Sequence, residues 1–67
     1  DGGADGLDFY RRIASQAKDF LNNDGIVIVE IGYKQEDRIT EIFSQNNFTL
    51  IESGFDLSNV VRVLCFA

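Results

Sequence analysis

Residues 26–29, Ile-Val-Ile-Val, constrain the fold most, because they place four β-branched side chains in succession. Branching at the β-carbon disfavours a helix and favours an extended strand. The segment stays mostly apolar to residue 31 and does not alternate with polar residues, which predicts a strand that is buried on both faces. A chain of 67 residues has few elements with which to cover both faces.

Two helices are predicted around this strand. Residues 6–21 form the first, with Asp5 as its N-cap and residues 22–25 as its stop. Its apolar positions recur at steps of three and four and form one stripe: Leu7, Phe9, Tyr10, Ile13, Ala14, Ala17, Phe20 and Leu21. Residues 33–47 form the second, whose predicted inner face is Ile39, Ile42 and Phe43.

Two further strands are predicted at residues 48–53 and 60–66, joined by a turn at 54–59. A strand–helix–strand unit makes the first two strands parallel, and the short turn makes the third antiparallel to the second. Because the third strand is the more apolar of the last two, we expect it inside the sheet, in the order one–three–two. If both helices lie on one face, the other face and the edge of the first strand stay exposed.

We therefore expect residues 1–67 to be a single partial domain, the C-terminal portion of a larger α/β domain. The chain starts at Asp1 and contains no methionine, which agrees with that expectation. The missing N-terminal portion is its expected partner, and the isolated segment is expected to self-associate.

The net charge of −5 argues against direct contact with nucleic acid and against an anionic membrane surface. With no histidine and one cysteine, the chain has neither a zinc ligand set nor an internal disulfide. We expect Cys65 to be an inert buried thiol and the protein to be cytoplasmic.

Glu30 and the following Gly32-Tyr33 are the candidate functional residues, since ligands of open α/β sheets bind at the carboxyl ends of strands. The alternatives are structural. In the first, the Glu30 carboxylate pairs with a cross-strand residue such as Arg62 or accepts a hydrogen bond from a loop amide. In the second, Gly32-Tyr33 forms a strand-to-helix turn in which the tyrosine packs against the protein. The glycine-rich residues 2–6 lack the spacing of a phosphate loop and are predicted to be a flexible lead-in.

Three stretches carry a family resemblance. Residues 1–13, Asp-Gly-Gly-Ala-Asp-Gly-Leu-Asp-Phe-Tyr-Arg-Arg-Ile, resemble the segment after the catalytic motif of HemK-type methyltransferases, which act on glutamine in peptide chain release factors. Residues 29–33, Val-Glu-Ile-Gly-Tyr, are similar to that family's Leu-Glu-Ile-Gly strand, followed by Gln35. Residues 56–64 resemble its terminal Asp-Leu and Arg-Val-Val, whereas Asn47 stands where glycine is common.

The resemblance implies the C-terminal fragment of a Rossmann-like class I methyltransferase that uses S-adenosylmethionine. The family's cofactor loop and catalytic motif lie upstream, so we expect no catalytic, cofactor-binding or metal-binding residue here and no activity of the segment alone. By resemblance, the border of the substrate cleft comprises Gly3, Asp5, Gly6, Glu30, Gly32 and Tyr33. The alternative function is an independent α/β interaction module that pairs through its exposed sheet edge.

Overall fold

The computed structural model describes residues 5–21 and 24–67, and these fold in the predicted order helix–strand–helix–strand–strand. The elements are α1 (Asp8–Phe20), β1 (Val27–Glu30), α2 (Glu36–Ser44), β2 (Leu50–Phe55) and β3 (Val61–Phe66). Both helices are shorter than predicted, and β2 begins two residues later. Residues 22 and 23 of the predicted stop at 22–25 lie outside the described residues.

The three strands form one sheet in the order β1-β3-β2, which confirms the predicted position of the last strand. β3 is antiparallel to both neighbours, so β1 and β2 point in the same direction. Val29 pairs with Leu64 and Ile28 with Cys65, which places these two pairs on opposite faces of the sheet.

The start of β2 is set by the way in which α2 ends. Asn47 adopts the left-handed conformation with φ 68°, which asparagine tolerates better than most residues. The amide of Phe48 then donates to the carbonyl of Phe43 at 3.0 Å, and the amide of Asn47 to that of Ser44 at 3.1 Å. This is a Schellman ending, and the contact between the rings of Phe43 and Phe48 completes it. Phe48 therefore belongs to the helix end and not to the strand.

The core lies between the two helices and one face of the sheet. Phe43 of α2 stacks on Phe66 of β3 with ring centroids 4.2 Å apart, and the predicted inner face of α2 is buried. The buried hydrophobic side chains are Leu7, Ala14, Val29, Ile31, Ile39, Ile42, Phe43, Phe48, Leu64 and Phe66. Since both helices contribute to this single cluster, both cover the same face.

The opposite face, with Ile28, Val63 and Cys65, is called the open face below. Ile28 is 60% exposed, so the prediction that β1 is buried on both faces is wrong for the described chain. The predicted consequence of placing both helices on one face, an apolar surface on the other, is confirmed. Cys65 is half-buried on this face, so the expectation of a buried thiol is also wrong.

Phe9 and Phe20 are 57% and 83% exposed, although the stripe of α1 placed them in the core. At about 100° per residue, Phe9 lies roughly 140° and Phe20 roughly 120° around the helix from the buried Ala14. The residues that do pack inward, Leu7 and Ala14, take the contact with α2 and the sheet. The apolar stripe of α1 is therefore wider than the surface that α2 and the sheet offer to bury it.

Candidate functional site at the carboxyl end of the first strand

The carboxyl end of β1 meets the beginnings of both helices. β1 ends at Glu30, and loop 31–35 leads directly into α2. From the first turn of α1, the hydroxyl of Tyr10 donates to the backbone carbonyl of Glu30 at 2.7 Å. The first turn of α1 therefore lies against the end of the strand, where open α/β sheets bind ligands.

The Glu30 side chain lies on the open face, opposite Val63, and is exposed. Arg62 binds Asp56 instead, with Nε 3.0 Å from the Asp56 carboxylate. The expected Glu30–Arg62 pair is wrong, because the register places Arg62 one position away from the residue opposite Glu30. Within residues 5–21 and 24–67, no side chain or loop amide binds the Glu30 carboxylate.

Gly32 and Tyr33 form the turn after β1. The amide of Gly32 donates to Oε1 of Gln35 at 2.9 Å, and a β-carbon at position 32 would lie only 2.8 Å from that oxygen. A larger residue at position 32 would therefore require the flexible end of the Gln35 side chain to move away. Tyr33 is 63% exposed, so the expected packing tyrosine is wrong, and Lys34 next to it has φ 61°.

Asp5 binds more groups than an N-cap would. The N-cap position is Leu7, which has no side-chain cap, so the prediction of Asp5 at that position is wrong. Oδ1 of Asp5 accepts the Leu7 amide at 3.0 Å and Arg11 Nη1 at 3.0 Å. Its Oδ2 accepts from Arg11 Nη2 and, at 3.1 Å, from Arg38 Nη2 of α2. Gly6, with φ 75°, turns the chain between the carboxylate and the helix.

The pKa of Asp5 lies well below its ordinary value, chiefly because Arg11 donates to it and also because the Leu7 amide does. With four donors on two oxygens, this carboxylate has no free acceptor position to offer a substrate. Its role in the described structure is to join the entry of α1 to α2.

The predicted cleft residues fall into two groups at one end of the molecule. Asp5 and Gly6 lie at the entry of α1, while Glu30, Gly32 and Tyr33 lie at the end of β1; Gly3 is outside the described residues. No hydrogen bond joins the groups directly; Tyr10 and Arg38 link them through the helices. Sequence reasoning missed both linking residues, since Tyr10 fits the apolar stripe and Arg38 a solvent-facing position.

The described residues do not fit S-adenosylmethionine. The open side of Gly32 is filled by the Gln35 amide, and Asp5 is fully occupied by arginines and a backbone amide. In the same part of the chain, no three acidic or cysteine side chains converge as a metal site. Neither described helix has the length and hydropathy needed to cross a membrane.

Comparison with known proteins gives a consistent set of relatives. A release factor glutamine methyltransferase of Francisella tularensis is 54% identical over 54 residues, 81% of this chain and 19% of that protein. The enzyme of the same name from Agrobacterium fabrum is 44% identical over 66 residues, 98% of this chain and 23% of the relative. A bifunctional methyltransferase of Rickettsia felis is 43% identical over 63 residues, covering 94% of this chain and 12% of the relative.

No protein-family model and no solved structure matches the chain. The chain spans about a fifth of the length of the release factor glutamine methyltransferases that it matches. Their identity nevertheless extends over most of its residues. The chain is homologous to a segment of the HemK-type release factor glutamine methyltransferases.

Proposed function

We propose that this chain is a structural portion of a methyltransferase that uses S-adenosylmethionine to methylate the glutamine side-chain amide of peptide chain release factors in the cytoplasm. The observation that carries the proposal is the 44% identity to such an enzyme over 66 of the 67 residues. Substrate, cofactor and location come from this relationship, since the described residues form neither a cofactor site nor a catalytic group.

The fold supports the proposed position of the chain within its parent. A last strand inserted antiparallel between two strands that point the same way is what the resemblance implies for the C-terminal part of a Rossmann-like methyltransferase. The open face and the outer edge of β1 would receive the preceding part of the parent domain, which would carry the cofactor loop and the catalytic motif. The proposed cleft border is Gly3, Asp5, Gly6, Glu30, Gly32 and Tyr33.

A chimera tests this proposal. This chain replaces the matching 66 residues of the Agrobacterium fabrum enzyme, and methyl transfer to a release factor is measured with labelled S-adenosylmethionine. We expect activity within about tenfold of the unmodified enzyme, because the residues that perform the chemistry are unchanged. Mass spectrometry should locate the methyl group on glutamine.

The isolated 67-residue chain is the control. It should neither methylate a Gly-Gly-Gln peptide nor bind S-adenosylmethionine tightly, and activity of the isolated chain would contradict the proposal. A chimera that fails to fold, or that folds and transfers no methyl group, would contradict it as well, since the segment would then not be interchangeable with its relative.

The exposed edge of β1 supports a second candidate, an independent interaction module. In the described part of the chain, β1 pairs only with β3, so its other edge is free to receive a strand from another protein. A monomeric isolated chain with cooperative unfolding would favour the module. A chain that self-associates or unfolds without cooperativity would favour the methyltransferase portion.

A further inference from the structure

Two side-chain links hold the start of α1 against the segment that follows β1. Asp5 binds Arg38, three residues into α2, at 3.1 Å. Tyr10 donates its hydroxyl to the carbonyl of Glu30, the last residue of β1, at 2.7 Å. Loop 31–35 lies between these two attachment points, so its two ends are held by one residue just before α1 and one in the first turn of α1.

The Asp5 link joins three separate stretches of chain. Its carboxylate accepts from both terminal nitrogens of Arg11, from the Leu7 amide and from Arg38, which is 33 residues away in sequence. Because Arg11 binds both carboxylate oxygens, it fixes the orientation of the Asp5 carboxylate as well as its distance from the arginine. The Asp5 side chain is 22% exposed, whereas its arginine partners are 46% and 63% exposed, so Asp5 is less exposed than either arginine.

Loop 31–35 itself is held in an uncommon conformation. Lys34 has φ 61°, a left-handed conformation that lysine adopts at a cost. The contact between Gln35 and the Gly32 amide closes the loop from within. Strained backbone of this kind persists where its surroundings determine it, and such sites often serve function. The result is a constrained loop that exposes the ring of Tyr33.

We propose that Asp5 is a positioning residue, which together with Tyr10 holds loop 31–35 so that Tyr33 contacts the release factor polypeptide. The inference rests on the proposed function and adds to it the residues that fix the substrate-facing loop. Tyrosine suits a polypeptide partner, because its ring offers apolar area and its hydroxyl a hydrogen bond at little conformational cost.

The test uses the full-length chimera with Asp5→Asn and, as its matched control, Asp8→Asn. Asp8 also binds Arg11, at 3.0 Å, and loses the same charge, but it has no bond to α2. We expect Asp5→Asn to raise the KM for the release factor by about tenfold, since small misplacements of a positioning contact carry such penalties. The KM for S-adenosylmethionine should not change. Asp8→Asn should stay within about twofold, as an exposed pair contributes little.

Hydrogen exchange gives a second measurement on the same variants. The amide of Gly32 should exchange faster in Asp5→Asn and in Tyr10→Phe than in the unmodified chimera, and Asp8→Asn should leave its rate unchanged. Tyr33→Ala should raise the KM for the release factor, and Phe20→Ala, which removes an exposed ring at the far end of α1, should not.

The inference would be overturned if Asp5→Asn and Asp8→Asn raised the KM for the release factor equally. It would also be overturned if Asp5→Asn raised the KM for the release factor and the KM for S-adenosylmethionine by the same factor. In either case an active chimera would leave the proposed function standing. An inactive unmodified chimera would instead refute the proposed function, so the two failures are distinguishable.

Discussion

Asp56 organises the turn between β2 and β3 with both carboxylate oxygens. Its Oδ1 accepts the amides of Ser58 at 2.8 Å and Val60 at 3.1 Å, and its Oδ2 accepts Nε of Arg62 at 3.0 Å. The Val60 amide first, and then Arg62, hold the pKa of Asp56 below its ordinary value. One acidic residue thus fixes the hairpin that brings β3 back into the sheet.

The lowered pKa of Asp56 predicts how this turn responds to acid. An unfolded aspartate has a pKa of about 4, so the stabilisation by Asp56 is complete above that pH and is lost as the pH falls through the lower pKa of the folded state. Asp56→Asn should therefore lower the Tm of the chimera most near neutral pH, and the difference from the unmodified chimera should shrink in strong acid. Thermal unfolding over a pH series measures this.

Asp19→Asn is the matched control for Asp56→Asn. Asp19 is exposed near the end of α1, and its substitution removes the same charge without changing the turn or the open face. A Tm difference for Asp56→Asn that is independent of pH, or one equal to that of Asp19→Asn, would show that the turn does not depend on the ionised carboxylate.

At the scale of elements, α2 is attached to the sheet mainly through Phe43. This ring is fully buried, stacks on Phe66 of β3 and packs edge-on against Phe48 at 5.5 Å. Its position explains why the end of α2 and the start of β2 are fixed together.

Phe43→Ala should lower the free energy of unfolding of the chimera by about 3–5 kcal/mol, because it removes a buried ring and leaves a cavity. Phe20→Ala, at a position that is 83% exposed, should change it by less than about 0.5 kcal/mol. Urea denaturation of the two variants measures the difference. Similar values for both would mean that the aromatic cluster does not anchor α2.

At the scale of the whole molecule, the open face and the free edge of β1 leave apolar surface uncovered within the described chain. Ile28 lies on that face and is 60% exposed, and Phe55 at the end of β2 is 57% exposed. Exposed apolar surface beside an unpaired strand edge favours association with another chain.

The isolated chain should therefore self-associate, and Ile28→Asp should weaken its association by at least about tenfold, since a buried unpaired charge is costly. Leu57→Asp is the control, because Leu57 is fully exposed in the hairpin turn. Sedimentation over a concentration range measures both. An isolated chain that is monomeric at all concentrations, with or without Ile28→Asp, would refute the prediction.

Local sequence pattern is sufficient to predict the order of the elements, the inner face of α2 and the position of β3 inside the sheet. These features follow from residues close together in the chain, since β-branching, helical spacing and the apolarity of whole segments act locally. The same local patterns do not define which part of an apolar stripe is buried by the other elements. Phe9 and Phe20 therefore fit the predicted core stripe, although the structure exposes both.

The arrangement at the carboxyl end of β1 depends on contacts between residues that are distant in the chain. Asp5 meets Arg38 across 33 residues, and Tyr10 meets Glu30 across 20, and no sequence spacing predicts either contact. Both depend on how α1 lies over α2 and the sheet. That placement arises from the packing of the core as a whole, because each helix buries its apolar face wherever the other elements leave room.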